Sequence, residues 1–183
     1  PGLKLVYPAT PYDAKGLLAS ALSSDDPVIV FESQRLYDIT EQFHREGVPD
    51  TYYRIPLGLP DVKRAGEDVT VLTIGPSLYP ALAAAEELDR LGVSLEVIDA
   101  RSLVPFDYRP LIESVKKTGR FLVVTEASER GSLAMTFATN VGRFAFQHLK
   151  AAPRVLGSPN WIVPGAEMET TYFPQAGDVI DVV

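Results

Sequence analysis

Short apolar runs alternate with amphipathic stretches through the second half of the sequence, and this alternation constrains the fold more than any other feature. The runs VTVLTIG, LEVIDA, FLVVTEA and RVLG are typical of strands covered on both faces. Apolar residues at helical spacing predict helices over residues 77–91, 107–118 and 132–149, with a short helix near 177–182. Strands alternating with helices predict an α/β domain with three layers around a mainly parallel sheet.

A separate β-α-β unit is predicted at the start of the sequence. Residues 3–7 form an apolar run, Thr10 and Pro11 are typical of a helix start, and the run VIVF predicts a second strand. Five apolar residues between these runs share one helical face: Ala14, Leu17, Leu18, Ala21 and Leu22. One crossover helix shields only one face of a sheet, so a layer from elsewhere is expected to cover the other face.

Proline and glycine interrupt the sequence between these two parts, which indicates a connection with one edge strand at residues 52–55. We therefore divide the chain into residues 1–45, a linker at 46–67 and the larger α/β domain at 68–183. The opening PGLKLVYPATPYDAKGLL predicts ordered structure almost from its first residue. We expect the sequence to begin inside a longer chain.

Charge and composition exclude several classes of function. The net charge is −7 and lysine and arginine form no run, so a nucleic-acid-binding surface is not expected. The absence of cysteine excludes disulfides and thiolate chemistry, and two histidines are too few for a histidine-rich metal site. No apolar run reaches the roughly 18 residues that a membrane span needs. A soluble protein of the cytoplasm is the expectation.

One turn suggests a nucleotide site, with a simpler alternative. Gly75-Pro76-Ser77 joins a strand to a helix and can offer N–H groups to a phosphate, and Asp99 ends the next strand, where dinucleotide-binding folds place an acid. Only one of the fingerprint's three glycines is present, so a plain turn is the favoured interpretation. His44 and His148 have no acid partner near them in sequence, and we interpret both as surface residues.

Charged side chains are predicted at the carboxyl ends of two strands, where open α/β sheets bind ligands. They are Glu126, Asp99 and Arg101. Such a group could be catalytic, or it could tie loops together or face a partner subunit, and the structural interpretation is favoured. The turn Ser24-Asp25-Asp26-Pro27 is rich in oxygen atoms and suits either a hard cation or solvent.

Several phrases together resemble one enzyme family. They are PATPYDAKGLL, DDPVIVFESQRLY, IPLG, DVTVLTIG, EVIDARSLVPFD, VKKTGRFLVVTEA and YFPQAGDVID. In this order they are similar to the β subunit of the thiamine-diphosphate-dependent 2-oxo acid dehydrogenase decarboxylating component, over essentially all 183 residues. The resemblance implies that residues 1–45 end an α/β pyrimidine-binding domain and that residues 68–183 form a transketolase C-terminal-like domain.

The resemblance implies part of an enzyme rather than a complete active site. The full assembly would decarboxylate a 2-oxo acid oxidatively on thiamine diphosphate with magnesium and pass the acyl group to a lipoyl arm. The family's activating glutamate and its histidine lie upstream of the matched part. No catalytic or cofactor-binding residue is therefore assigned, and the chain alone is expected to be inactive. Relatives can hold a structural potassium ion, which the resemblance assigns to Ala21, Ser24 and Asp26.

The resemblance also implies partners. They are the upstream segment, an α subunit or α-like half, and a second copy that meets this one through the C-terminal domain. Some relatives dock the basic peripheral domain of a dihydrolipoyl acyltransferase, and four acidic residues are compatible with that: Glu167, Glu169, Asp178 and Asp181. The alternative, from a different class, is a stand-alone α/β module for binding or assembly without catalysis of its own.

Overall fold

The structure is a computed structural model that describes residues 2–183. The strands of this part are β1 (Lys4–Val6), β2 (Val28–Val30), β3 (Asp61–Arg64), β4 (Val69–Thr73), β5 (Leu95–Asp99), β6 (Ser102–Val104), β7 (Phe121–Ser128) and β8 (Arg154–Ser158). The α-helices are α1 (Pro11–Leu22), α2 (Leu78–Arg90), α3 (Tyr108–Thr118), α4 (Leu133–Phe144), α5 (Glu169–Tyr172) and α6 (Ala176–Val182). None of the helices in residues 2–183 is long and apolar enough to cross a membrane.

A five-stranded sheet forms the centre of the molecule, in the order β3-β5-β4-β7-β8. Strands β4, β5, β7 and β8 run parallel, and β3 pairs antiparallel with β5 at one edge. Successive strand residues point to opposite faces, so Val71 packs with α2 and α6 while Leu72 packs with α3 and α4. The three-layer α/β fold with a mainly parallel sheet is therefore confirmed.

Local capping explains where the helices begin and end. The Thr10 hydroxyl accepts a hydrogen bond from the Asp13 N–H at the start of α1, and the Asp107 carboxylate caps α3 through the Arg109 N–H. Gly119 ends α3 with a φ of +77°, a conformation that a residue with a Cβ adopts at a cost. These ends agree with the predicted boundaries because capping depends on nearby residues only.

A second, three-stranded sheet has the order β2-β1-β6. β1 and β2 are parallel, as a β-α-β unit requires, while β6 pairs antiparallel with β1. β6 was not predicted, because three residues directly after β5 carry no strand pattern of their own. The pairing joins the first 45 residues to the segment that follows the large sheet's β5.

Two predicted elements were wrong. Residues 52–55 form no strand, because Ile55 packs into the core under α1 and the Tyr53 ring stacks on Tyr12 at 4.6 Å. The edge strand is instead β3 at Asp61–Arg64. The helix predicted to run to residue 149 ends at Phe144, and Phe146–His148 forms a separate 3₁₀ turn.

The small sheet is covered on one face only. Val6, Val28 and Val30 pack with Leu17 of α1. The opposite face of β1 and β2 is a surface that we call the open face, made of Leu3, Leu5, Ile29 and Phe31.

The apolar side of α1 is also only partly buried. Leu17 is fully buried, whereas Leu18 is 43% exposed and Leu22 is 81% exposed. The five apolar residues were predicted to form one buried helical face, but of these only Leu17 is buried, and Ala14 and Ala21 are half-buried. Large aliphatic side chains are therefore exposed on α1 as well as on the open face. Within residues 2–183, the first unit lacks a layer that would cover them.

Candidate functional site

A cluster of charged residues lies where the small sheet meets the large one. We call it the seam cluster: Asp13, Asp61, Lys63, Asp99 and Arg101. Lys63 Nζ lies 2.6 Å from Asp13 Oδ2 and 2.7 Å from Asp61 Oδ2, and Arg101 Nη1 lies 2.7 Å from Asp13 Oδ1. The Asp13 carboxylate, on α1, is thus shared between a lysine of β3 and an arginine that follows β5. The cluster ties the first helix to the edge of the large sheet.

Burial and ion pairing shift the pKa values of Asp13 and Lys63 in opposite directions. Asp13 is fully buried and the Lys63 side chain is 1% exposed. Burial alone would raise the pKa of Asp13, but the charges of Lys63 and Arg101 outweigh it, so this pKa lies below its ordinary value. Burial would lower the pKa of Lys63, yet Asp13 raises it overall. Both groups are therefore charged at neutral pH.

Asp99 is the unsatisfied member of the seam cluster. Its Oδ1 accepts a hydrogen bond of 3.1 Å from the Arg101 N–H, whereas its buried Oδ2 has no partner among the described residues. Burial, and then the negative charge of Asp13, raises the pKa of Asp99 to about 7. Its carboxyl group therefore exchanges a proton near neutral pH inside the protein.

Arg101 makes the contacts that the structural interpretation requires. Besides its pair with Asp13, its Nε donates to the Leu59 carbonyl at 2.9 Å. Its φ of +39° is unusual for a residue with a Cβ and directs the chain from β5 into β6. Arg101 therefore holds the connection before β3 against α1.

Glu126 lies near the carboxyl end of β7, as predicted, but apart from the seam cluster. Its carboxylate pairs with Arg35, whereas Arg101 pairs with Asp13. Burial raises the pKa of Glu126; Arg35 lowers it and Glu169 raises it further. The predicted grouping of Glu126 with Asp99 and Arg101 is not formed.

Neighbouring groups of the protein pack closely against the turn Gly75-Pro76-Ser77. Gly75 has a φ of +58°, and a Cβ there would meet the Tyr7 ring at 2.6 Å. The Ser77 hydroxyl is buried: its one hydrogen lies between the Val124 carbonyl at 2.7 Å and the Ile74 carbonyl at 2.9 Å, and its oxygen accepts from the Ile74 N–H at 3.0 Å. The Tyr7 ring packs against Gly75 and the Ser77 hydroxyl is used within the fold, which agrees with a plain βα turn.

Neither histidine has the surroundings of a catalytic base. His44 stacks on Tyr12 with ring centroids 3.6 Å apart, and His148 ends the 3₁₀ turn after α4. Within residues 2–183, no group of three or more histidine, cysteine or acidic side chains is arranged to hold a metal ion.

The residues predicted to hold potassium lie around one lysine. Lys4 Nζ is 2.9 Å from Ser24 Oγ and 2.9 Å from Asp26 Oδ2, and the Ala21 carbonyl accepts the Ser24 N–H at 3.1 Å. Hydroxyl, carboxylate and carbonyl oxygens are suitable ligands for a hard cation. The two side-chain oxygens already bind one positive charge, so a metal ion would compete with the Lys4 ammonium or lie beside it.

Sequence reasoning missed the residues that complete these groups. Asp13 lies in the first turn of α1, where acidic residues are common, so nothing in the sequence marks it as an ion-pair partner. Lys63 and Asp61 lie in a stretch interpreted as mostly linker, and Arg35 follows β2 without any motif.

Comparison with known proteins identifies the same family along two lines. The profile of the transketolase C-terminal domain matches residues 58–179. The β subunit of the pyruvate dehydrogenase E1 component from Bacillus subtilis (strain 168) is 39% identical over 181 residues, which are 99% of this chain and 54% of that protein. The corresponding subunits of Staphylococcus epidermidis (strain RP62A) and Staphylococcus aureus (strain Mu50) are 39% and 38% identical over the same lengths.

A solved structure has the same fold. It is described as a split gene transketolase, inactive β4 tetramer, and it superposes with a TM-score of 0.76 at 24% identity, covering 99% of this chain and 56% of the other. The present chain spans about half the length of the curated relatives it matches.

Proposed function

Because the chain belongs to the transketolase C-terminal domain family, we propose that it works as the C-terminal portion of a 2-oxo acid dehydrogenase β subunit. When bound to the complete assembly, thiamine diphosphate with magnesium would supply the carbanion-stabilising chemistry of decarboxylation. The residues described here would position subunits around that cofactor. The glycine turn at Gly75 lies against the Tyr7 ring, so we assign no cofactor-binding role to it.

The open face is the observation that carries this proposal. Ile29 is 40% exposed and Phe31 is 42% exposed on a strand pair whose other face packs against α1. Full burial of a large apolar side chain is worth about 1.5–3 kcal/mol, so each of these partly exposed side chains forgoes on the order of 1 kcal/mol. We infer that the remainder of the β subunit covers this face, with the α subunit or α-like half and a second β copy completing the assembly.

A dihydrolipoyl acyltransferase is the further partner in this proposal. Glu167, Asp178 and Asp181 are exposed and Glu169 is half-buried near the end of the chain. Next to them in sequence lie large exposed apolar side chains: Trp161, Ile162, Val163 and Met168. Acidic groups around an apolar surface are complementary to a small basic domain.

Replacing Ile29 with glutamate is expected to prevent assembly without unfolding the chain, because the side chain is partly exposed and a charge cannot be buried there unpaired. The protein would be isolated from its native cells with an affinity tag, and its mass and thiamine-diphosphate-dependent release of CO₂ from 2-oxo acids would be measured. We expect a large, active complex for the parent chain and a loss of both properties for Ile29→Glu.

Val62→Glu is the matched control, since Val62 is a β-branched edge-strand residue that is 50% exposed on β3. This variant should assemble normally. A parent protein that sediments as a 20.0 kDa monomer without decarboxylase activity would overturn the proposal and favour the stand-alone module.

We also propose a potassium ion at Ala21, Ser24 and Asp26. Crystals grown with rubidium in place of potassium are expected to show an anomalous peak within contact of these oxygens. In Lys4→Met, which removes the competing ammonium, the peak should become stronger. An ordered turn with no peak in either protein would exclude the site.

A further inference from the structure

Asp99 lies between the two parts of the molecule, where α1 of the first unit meets the large sheet. It ends β5 on the face of the sheet that packs with α2, the same face as Val97. The side chain is fully buried, and within residues 2–183 its Oδ2 atom has no hydrogen-bond partner. A buried carboxyl oxygen without a donor favours the protonated form of the group, because an unpaired charge is costly to bury.

Charged side chains from three elements act on the Asp99 carboxyl group. Asp13 comes from α1, Lys63 comes from β3, and Arg101 follows the end of β5. Asp61 of β3 is the pairing partner of Asp99 in the sheet and contacts Lys63. The two cations that act on Asp99 already bind Asp13. Asp99 therefore shares its cations with the helix that it faces.

Two further titratable groups lie around this boundary, and neither supplies a positive charge. Tyr79 of α2 donates its hydroxyl to the Ala9 carbonyl at 2.9 Å, just before α1. Burial, and then the charges of Glu41, Asp99 and Asp13, raise the pKa of Tyr79 to about 12, so its hydroxyl is neutral at pH 8. The Glu41 carboxylate accepts backbone N–H groups from the first turn of α1 and from residues 43–44. Both groups hold α1 in place without neutralising Asp99.

Removal of the proton from Asp99 unbalances the seam cluster. While Asp99 is protonated, the cluster has two carboxylates and two cations. The ionised group adds a third negative charge, which repels Asp13 and competes with it for Lys63 and Arg101. Because Asp13 lies on α1 and Asp99 on the large sheet, this repulsion acts across the boundary between the two parts.

We propose that Asp99 works as a proton-dependent latch between the first unit, residues 2–45, and the large sheet. With the proton in place, Asp13 binds Lys63 and Arg101 and holds α1 on the edge of the sheet. When the proton leaves, these contacts weaken, and the first unit separates from the sheet more often while the sheet stays folded. The sheet keeps a core of its own, since its strands pack between α2 and α6 on one face and α3 and α4 on the other. The latch does not rest on the function proposed above, because every group in it lies within the present chain.

The test measures hydrogen exchange at an amide that bridges the two parts. The Tyr7 N–H follows β1 and donates to the Arg101 carbonyl at 2.9 Å. The protein isolated for the assembly experiment would be transferred to D₂O at pH 6 and pH 8, and deuterium uptake at single amides would be measured by mass spectrometry. Each rate is divided by the intrinsic rate at that pH, and the amides of β7 inside the large sheet are the reference.

We expect the Tyr7 amide to be about tenfold less protected at pH 8 than at pH 6, and less protected than the β7 amides at both pH values. Opening exposes Asp99, which then releases its proton, so opening becomes easier as pH rises toward the folded-state pKa of about 7 and levels off above it. Between pH 6 and pH 8 this change amounts to about one factor of ten. Protection of the Tyr7 amide that is the same at both pH values, or that equals the protection of β7, would rule out the latch.

Asp99→Asn cannot ionise, so the Tyr7 amide of this variant should have the same protection at pH 6 and pH 8. Asp107→Asn is the matched control and should keep the tenfold change. Histidine side chains ordinarily titrate between pH 5 and 8, and His44 stacks on Tyr12 of α1, so His44→Gln is a second control that should also keep the change. Loss of the change in His44→Gln would assign it to the histidine and contradict the latch, a comparison that holds even if Asp99→Asn misfolds.

Discussion

Asp13→Asn is expected to lower the free energy of unfolding by about 3–5 kcal/mol, the usual cost of removing one partner from a buried ion pair. The substitution keeps the shape of the side chain but removes the charge that both Lys63 and Arg101 contact. Lys63 Nζ, with its side chain 1% exposed, would keep only Asp61 as a charged partner. The loss comes chiefly from a buried ammonium that is no longer neutralised.

Urea unfolding at pH 7 would measure this effect, with Asp89→Asn as the control. Asp89 also pairs with an arginine, Arg64, at 3.1 Å, but its side chain is 56% exposed. Exposed pairs contribute about 0–1 kcal/mol, so the control should remain near the parent. Equal losses for the two variants would show that burial of the seam cluster has no energetic consequence.

A second substitution tests whether the loss comes from the Asp13–Lys63 ion pair or only from the change at residue 13. Lys63→Met should destabilise the parent, yet in an Asp13→Asn background it should cost less or even restore stability, because it removes the unpaired charge. Additive losses in the double variant would contradict a direct interaction between the two side chains.

Asp99→Asn is expected to stabilise the protein at pH 8 by as much as about 4 kcal/mol, the free energy that corresponds to raising a carboxyl pKa from its ordinary value to about 7. Below about pH 4, Asp99 is protonated whether the chain is folded or unfolded. Between pH 4 and 7 the folded state holds a proton that the unfolded state has released, so the stability of the parent falls as pH rises. Above pH 7 that loss is complete.

Asparagine resembles the protonated acid and cannot ionise. The free energy of unfolding of Asp99→Asn should therefore be close to that of the parent at pH 5 and should exceed it at pH 8. Asp107→Asn is the control, because Arg109 lowers the pKa of Asp107 to about 2 and neither state of that residue titrates between pH 5 and 8. A stability difference for Asp99→Asn that is the same at both pH values would mean that Asp99 is ionised throughout this range.

The candidate site was only partly predictable. Asp99 and Arg101 were expected together at the end of a strand, and they are, because Asp99 ends β5 and Arg101 follows two residues later. Asp13, the partner of Arg101, lies 88 residues from it, and Arg35 lies 91 residues from Glu126. Nothing in the sequence near either residue marks such a distant partner. The sequence does not distinguish a charged residue on the surface from one in a buried ion pair.

The sequence by itself determined the four parallel strands of the large sheet and the helices between them, since hydrophobic periodicity and capping depend on neighbours within a few residues. It also indicated that the first unit needs a covering layer. Only the tertiary structure decided that β6 joins the small sheet, that Asp61–Arg64 is the edge strand, and that Asp13, Lys63 and Arg101 share one buried site. Short strands and isolated charges acquire their roles from distant segments, because backbone pairing and desolvation exist only once those segments are in contact.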